Sequence, residues 1–288
     1  MAGFRYHRPD TIEEAVGLLA EHGPGAKVLA GGQSLIPLLA LRLSRPEHVI
    51  DIGRIGELHS MEDRSDGFTV RAGVRQAEIE ASPLMGRAAP LVAAAMPHIG
   101  HRAIRNRGTV CGNLAHADPA AELPAVTLAV DAQLIARSTA GERTIAAADF
   151  YLGYLSSALD ETELLTAVRF PPWPSRTGWS VQEVSRRQGD FALVGLAVAL
   201  GLAQDGRVQR TALSFFGAGP TPLRLPEAER ILVGERPEPA LFAEAAGVVT
   251  KTLDPPSDNH ATAPYRAHVA GVLTRRCLAE AADRAGGA

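Results

Sequence analysis

Two short stretches carry residue types suited to holding a phosphate-bearing ligand. The first is Leu29-Ala30-Gly31-Gly32-Gln33-Ser34-Leu35, set between an apolar run that reads as a strand and one that reads as a helix. Glycine admits positive φ and lets backbone N–H groups come close to a ligand. Successive N–H groups in such a turn, next to a helix start, form an anion-binding concavity for which a diphosphate is a natural guest. The second stretch is Gly108-Thr109-Val110-Cys111-Gly112-Asn113, preceded by Arg102, Ile104, Arg105 and Arg107. Its small residues permit close approach, and Thr109 and Asn113 can donate to phosphate or ribose oxygens. Glu122, farther along, can accept from a ribose hydroxyl or an adenine amine. Taken singly, the Gly-Gly stretch reads more readily as an ordinary tight turn, and the second stretch also admits a structural reading. No GxGxxG or GxxxxGK[ST] pattern occurs, which sets aside Rossmann and P-loop nucleotide sites.

Other chemistries are poorly supplied. The chain has only Cys111 and Cys277, far apart and outside any CxxC, so it cannot provide the four thiolates of an iron–sulfur cluster. Its nine histidines form no HxH or HExxH spacing, and no metal site is expected. His98, His101 and His116 have gaps of 3 and 15 residues and no fourth ligand, which suits hydrogen-bonding or surface roles. No nucleophile–base pair or acid pair stands out, so no catalytic residue is assigned. A net charge of −3 with 21% charged residues speaks against nucleic-acid binding, which needs clustered cations. The longest apolar run, 191–203, is short of the roughly 20 residues of a membrane span. The polar N-terminus MAGFRYHRPD lacks the apolar segment of a signal peptide, and a cytoplasmic location is expected.

The elements that must position these stretches can be read from periodicity. Strand 4–7, a helix opened by Thr11 and Glu14, strand 27–30, a helix over 35–43 and strand 48–52 make a small β-α-β-α-β unit. A second region has strand 68–74, helices over 76–81 and 84–96, a buried helix over 123–130, and strands 133–137 and 164–170. Pro171-Pro172-Trp173-Pro174 reads as a boundary. Beyond it come strands 181–186, 192–203 and 208–216 and helices over 241–252 and 264–282. The class is α+β, with 288 residues divided as 1–55, 56–176 and 177–288.

Taken together, AGGQSLIPLL and IRNRGTVCGNLAHADPAAELPA resemble the two FAD-binding signatures of the medium subunit of molybdenum hydroxylases, the carbon monoxide dehydrogenase, xanthine dehydrogenase and aldehyde oxidase relatives. Arg186-Arg187-Gln188-Gly189-Asp190 resembles the family's RRxxD stretch, and Tyr265-Arg266-Ala267-His268-Val269 with Arg275-Arg276 resembles its last helix. The resemblance spans essentially the whole chain. It implies a two-lobed FAD-binding domain of the xanthine dehydrogenase and vanillyl-alcohol oxidase type, followed by a C-terminal α+β lobe.

It also implies roles. Residues 29–34 and Leu35 would wrap the pyrophosphate, and Ile104, Thr109, Cys111, Gly112 and Asn113 would close the other side. Asp118 and Glu122 would face the adenosine end. Leu165 would touch the isoalloxazine edge, Gln182 or Glu183 would lie near its pyrimidine end, and Phe191 would screen a ring face. Two departures stand out: Cys111 replaces a frequent glycine, and Gln33 a histidine found in some members. The implied function is an FAD-carrying electron-transfer subunit of a heterotrimer, itself doubled. A large molybdopterin subunit would hold the molybdenum cofactor and a small subunit two [2Fe–2S] clusters, in keeping with the few cysteines here. The alternatives are a self-sufficient flavin oxidoreductase acting on a small molecule and a scaffold without cofactor.

Overall fold

The fold is seen in a computed structural model, which describes residues 3–287. It opens with β1 (Arg5–His7), α1 (Ile12–His22), β2 (Ala26–Leu29), α2 (Leu35–Ala40) and β3 (His48–Asp51). The three strands form a parallel sheet in the order β1-β3-β2. Parallel pairing needs crossovers, here supplied by α1 and α2. Thr11 caps α1 by accepting from the Glu14 N–H, and Ile12, Ala15, Val16 and Leu19 bury one helical face.

The second unit holds β4 (Met61–Arg64), β5 (Gly67–Arg71), α3 (Gln76–Glu80), α4 (Pro83–Ala88), α5 (Pro90–Ala95), α6 (Arg102–Arg105), α7 (Val110–His116), α8 (Glu122–Ala129), β6 (Gln133–Ser138), β7 (Gly141–Ala146), α9 (Ala147–Phe150), β8 (Tyr151–Gly153), β9 (Ser156–Ser157) and β10 (Leu164–Phe170). Its main sheet is antiparallel in the order β4-β5-β10-β6-β7. The single helix expected over 84–96 is two short ones, because Pro90 opens α5 and Ala89 before it leaves the helical region at φ −147° and ψ 66°. Helix α8 is buried on every side, which is why its sequence, Glu122 and Thr127 apart, is apolar rather than amphipathic.

The third unit has β11 (Thr177–Ser185), β12 (Ala192–Leu202), β13 (Val208–Phe216), β14 (Leu223–Arg224), α10 (Pro226–Leu232), α11 (Pro239–Thr252) and α12 (Ala263–Gly286). The strands follow one another as an antiparallel sheet. One face packs under α10, α11 and α12 in a core of its own. The other, through Val181, Ala197, Ala199, Ala212 and Phe216, joins the core of the first two units. Trp173 and Trp179 meet edge to face at 6.1 Å across the junction. Arg266 on α12 donates to the carbonyls of Leu193 and Gly217 and to Asp258, so the last helix is pinned to the β11–β12 hairpin and the loop after β13. No helix among the described residues is long and apolar enough to cross a membrane.

Candidate functional site

The two glycine-bearing stretches abut. A β-carbon on Gly31 would stand 2.2 Å from the Arg107 carbonyl oxygen and 2.7 Å from Gly108 Cα, so only glycine lets the segments touch. Gly32 has φ +75°. Gln33 Nε2 donates to the Gly31 carbonyl at 3.1 Å and closes the turn on itself. Ser34 stands at the start of α2 but makes no capping bond, leaving its hydroxyl uncommitted. Since α2 has six residues, the cradle is built from loop N–H groups rather than from a long helix dipole. Residues 28–35 are all partly exposed.

The second stretch is held from beneath by the chain leaving β5. The Gln76 N–H donates to the Gly108 carbonyl at 2.8 Å, the Val110 N–H donates to the Val74 carbonyl, and Thr109 bridges to Arg75. Thr109 Oγ1 accepts from the Gly112 N–H at 3.0 Å and caps α7; its own proton is still available to a ligand. Arg105 is buried, paired with Glu80 at 2.8 and 3.0 Å and donating to the carbonyls of Ile99 and Gly100, so it anchors the turn instead of meeting a phosphate. Arg102 and Arg107 are exposed and Ile104 is half-exposed.

Asn113 Oδ1 and Gln76 Oε1, in the residues around the cradle, lack a protein partner, as does Glu183 Oε2 on β11. Buried polar atoms are normally satisfied, so open acceptors of this kind suit a ligand that brings hydroxyl and N–H donors, as a flavin dinucleotide does.

Residues 2–173 match the family model described as the FAD binding domain in molybdopterin dehydrogenase. Residues 179–281 match the CO dehydrogenase flavoprotein C-terminal domain. This chain is a medium subunit of the molybdenum hydroxylase family. It is 39% identical to the 6-hydroxypseudooxynicotine dehydrogenase complex subunit alpha of Paenarthrobacter nicotinovorans, over 98% of this chain and 95% of the relative. It is also 39% identical to the caffeine dehydrogenase subunit beta of Pseudomonas sp. (strain CBB1), with the same coverage. A solved carbon monoxide dehydrogenase from Hydrogenophaga pseudoflava superposes with a TM-score of 0.94 at 35% identity, over 98% of both chains. The fold implied by the resemblance is therefore observed, and the subunit belongs to an oxidoreductase that uses FAD.

Within the medium subunit, the other expected contacts fall into place unevenly. Cys111 is inside α7 with its Sγ 3.8 Å from the Val70 carbonyl. The thiol points into the core, where burial pushes its pKa up to about 12, so Cys111 offers the site only backbone, in right-handed helical geometry. Gln182 is turned away: its Nε2 donates to Glu280 on α12 at 3.0 Å. Strand alternation puts Glu183 on the opposite face, with Oε1 3.8 Å from His98 Nδ1. The pairing with Glu183 raises the His98 pKa.

Glu122, at the first position of α8, is buried, and its pKa is pushed up to about 8, chiefly by desolvation, with a further push from Glu183. Asp118 Oδ1 accepts from the Ala120 N–H at 2.9 Å and shapes the entry to that helix. Leu165 is a buried core residue on β10, where the register to β6 shifts. Phe191 is 68% exposed at the β11–β12 turn, which is anchored by Gly189 lying against the His101 ring. His98 thus pairs with Glu183 and His101 backs Gly189, two separate roles. Sequence reasoning did not single out Gln76; its position immediately after the β5 exit became meaningful only once Gly108 was seen to bond there.

Proposed function

We propose that this medium subunit holds FAD between the 29–35 loop and the 104–113 segment and passes electrons from [2Fe–2S] clusters on a small subunit to an external acceptor. Substrate oxidation would take place on a large molybdopterin subunit. The observation that carries this reading is the contact of Gly31 with Arg107 and Gly108, which makes one cradle of two segments and leaves Asn113 Oδ1 unpartnered beside it. Bound flavin would supply the ability to take up and release electrons. Around it the chain positions and insulates: loop N–H groups of residues 30–34 and the Thr109 hydroxyl face phosphate oxygens, Asn113 and Asp118 line the adenosine side, and Glu122 and Glu183 present carboxyls on the α8 side of β11. Leu165 and Phe191 are offered as apolar contacts to the ring.

On this reading residues 1–55 and 56–176 are the two parts of the flavin domain and 177–288 the C-terminal domain. The assembly is a cytoplasmic dimer of heterotrimers.

The test is to co-purify the chain with its two partner subunits and add carbon monoxide, a purine, an aldehyde and an N-heterocycle in turn. Anaerobic bleaching of the flavin by one of them, seen only when both partners are present, is the expected result. Bleaching in the isolated chain would overturn the proposal in favour of a self-sufficient flavin oxidoreductase.

A further inference from the structure

Three histidines far apart in sequence converge at the end of the first sheet remote from the glycine loop. The β1–β3 register pairs Arg5 with His48 and His7 with Ile50, which places His7 and His48 on the sheet face that carries the fully buried Ile50. Helix α1 ends at His22, directly over them. His7 Nε2 and His48 Nδ1 are 2.8 Å apart. The His22 and His48 rings stack at 3.6 Å with planes 17° apart, and His7 stacks on His48 at 5.1 Å. One ring nitrogen from each of the three lies within 4.8 Å of the others. His7 and His22 are partly exposed, so an ion can enter from their side and those rings can turn.

We infer that His7, His22 and His48 form a binding site for a first-row divalent transition metal, with Zn2+, Cu2+ and Ni2+ as the fitting ions. Neutral imidazole nitrogen is the donor that borderline ions prefer and that Mg2+ and Ca2+ do not. Zn–N bonds of about 2.0–2.1 Å require the nitrogens to sit slightly farther apart than the His7–His48 pair, which rotation of the rings supplies. The member of that pair now donating to the other carries its proton on its other ring nitrogen once both ligate, so no net proton is lost. Water fills the fourth position, or Glu21, whose Oε1 is 3.9 Å from His22 Nε2. Arg5 faces the cluster and weakens it; Glu47 and Glu21 offset that cation. The ion would clip β1, the end of α1 and β3 together. His48 pairs with Ala26, the first residue of β2, whose last residue, Leu29, leads into the glycine loop; the clip is therefore separate from the flavin cradle and steadies the sheet that carries it.

The test uses the full chain without a histidine tag, stripped with a chelator and titrated with Zn2+ and Cu2+ in competition with a chromophoric chelator. One equivalent per chain is expected, with no uptake of Mg2+. His22→Gln and His7→Gln, on different elements, are each expected to weaken binding by about tenfold or more, with flavin content unchanged. Zinc is expected to raise the thermal midpoint of the parent chain and not of His22→Gln. Absence of saturable one-to-one binding, or variants that bind as tightly as the parent chain, would overturn the proposal.

Discussion

Gly31 and Arg107 are in contact, so that a single added methyl on Gly31 would stand 2.2 Å from the Arg107 carbonyl oxygen. No side-chain rotation relieves that clash, because the opposing atom is backbone. Gly31→Ala is therefore expected to push the two loops apart, costing about 1–3 kcal/mol of stability and most of the bound flavin. Chemical denaturation and the flavin-to-protein absorbance ratio check both effects. A variant that keeps full flavin content and full stability would mean that the loops are not jointly required.

Asn113 is the cleanest separation of binding from folding. Its Oδ1 is buried without a protein partner, so removing it breaks no bond within the chain. Asn113→Ala is expected to leave the folding stability of the flavin-free chain within about 0.5 kcal/mol of the parent. FAD should bind more weakly by roughly 1–2 kcal/mol, the worth of a hydrogen bond from a buried acceptor. Titration of the stripped chain with FAD measures it. Thr109→Ala should differ in both respects, since Thr109 also caps α7; its loss is expected to cost about 1 kcal/mol of folding stability as well.

The uneven legibility of the fold has physical causes. Strands buried on both faces, such as β10 and β12, matched their sequence limits to within a residue, because largely apolar runs bounded by polar residues leave little choice. The edge strands β4 and β7 were missed because Met61–Arg64 and Gly141–Ala146 are mostly exposed and carry no alternation to read. Pro90 divided a helix whose apolar pattern continues across it. At the site, glycines and small polar residues picked out two loops that the fold brings into contact, since that composition is costly anywhere else. Side-chain direction was harder: of the residues the sequence proposed, Cys111 faces the core and Gln182 faces α12. A single-residue change of parity on β11 moves the candidate from Gln182 to Glu183. The convergence of His7, His22 and His48 depends on strand register and on where α1 stops, neither of which sequence spacing reveals.

Glu122 links the site to pH. Buried at the start of α8, it has its pKa pushed from 4.5 to about 8, mainly by desolvation. In the unfolded chain it loses its proton near its ordinary value, whereas the folded chain retains it up to about 8. Its contribution to stability is thus fully present below the unfolded value and is lost as pH rises through the folded one. The flavin-free subunit is expected to lose on the order of a few kcal/mol from this group between about pH 5 and about pH 8.5. Glu122→Gln, which stays neutral throughout, should flatten that slope. Urea midpoints for both proteins across the range decide it; parallel slopes would show that Glu122 ionises normally.

Gln182 and Glu183 are neighbours on β11 with opposite duties, and two substitutions separate them. Gln182 Nε2 and Ser180 Oγ both donate to Glu280 on α12, a carboxylate that also pairs with Arg284 at 2.5 Å. Gln182→Ala removes one of those donors, and the expected result is a stability loss of about 1 kcal/mol with flavin affinity unchanged. Glu183 is on the other face, near His98 and Glu122, with Oε2 unpartnered. Glu183→Gln should leave stability nearly level and change flavin affinity and the flavin's reduction potential, because it removes a negative charge from the site. It should also lower the His98 pKa towards its ordinary value, since pairing with Glu183 is the main cause of its rise. Flavin titration, spectroelectrochemistry and histidine NMR read these three quantities. The reverse pattern, with Gln182→Ala altering the flavin and Glu183→Gln altering only stability, would show that the β11 face towards α12 is the one that meets the cofactor.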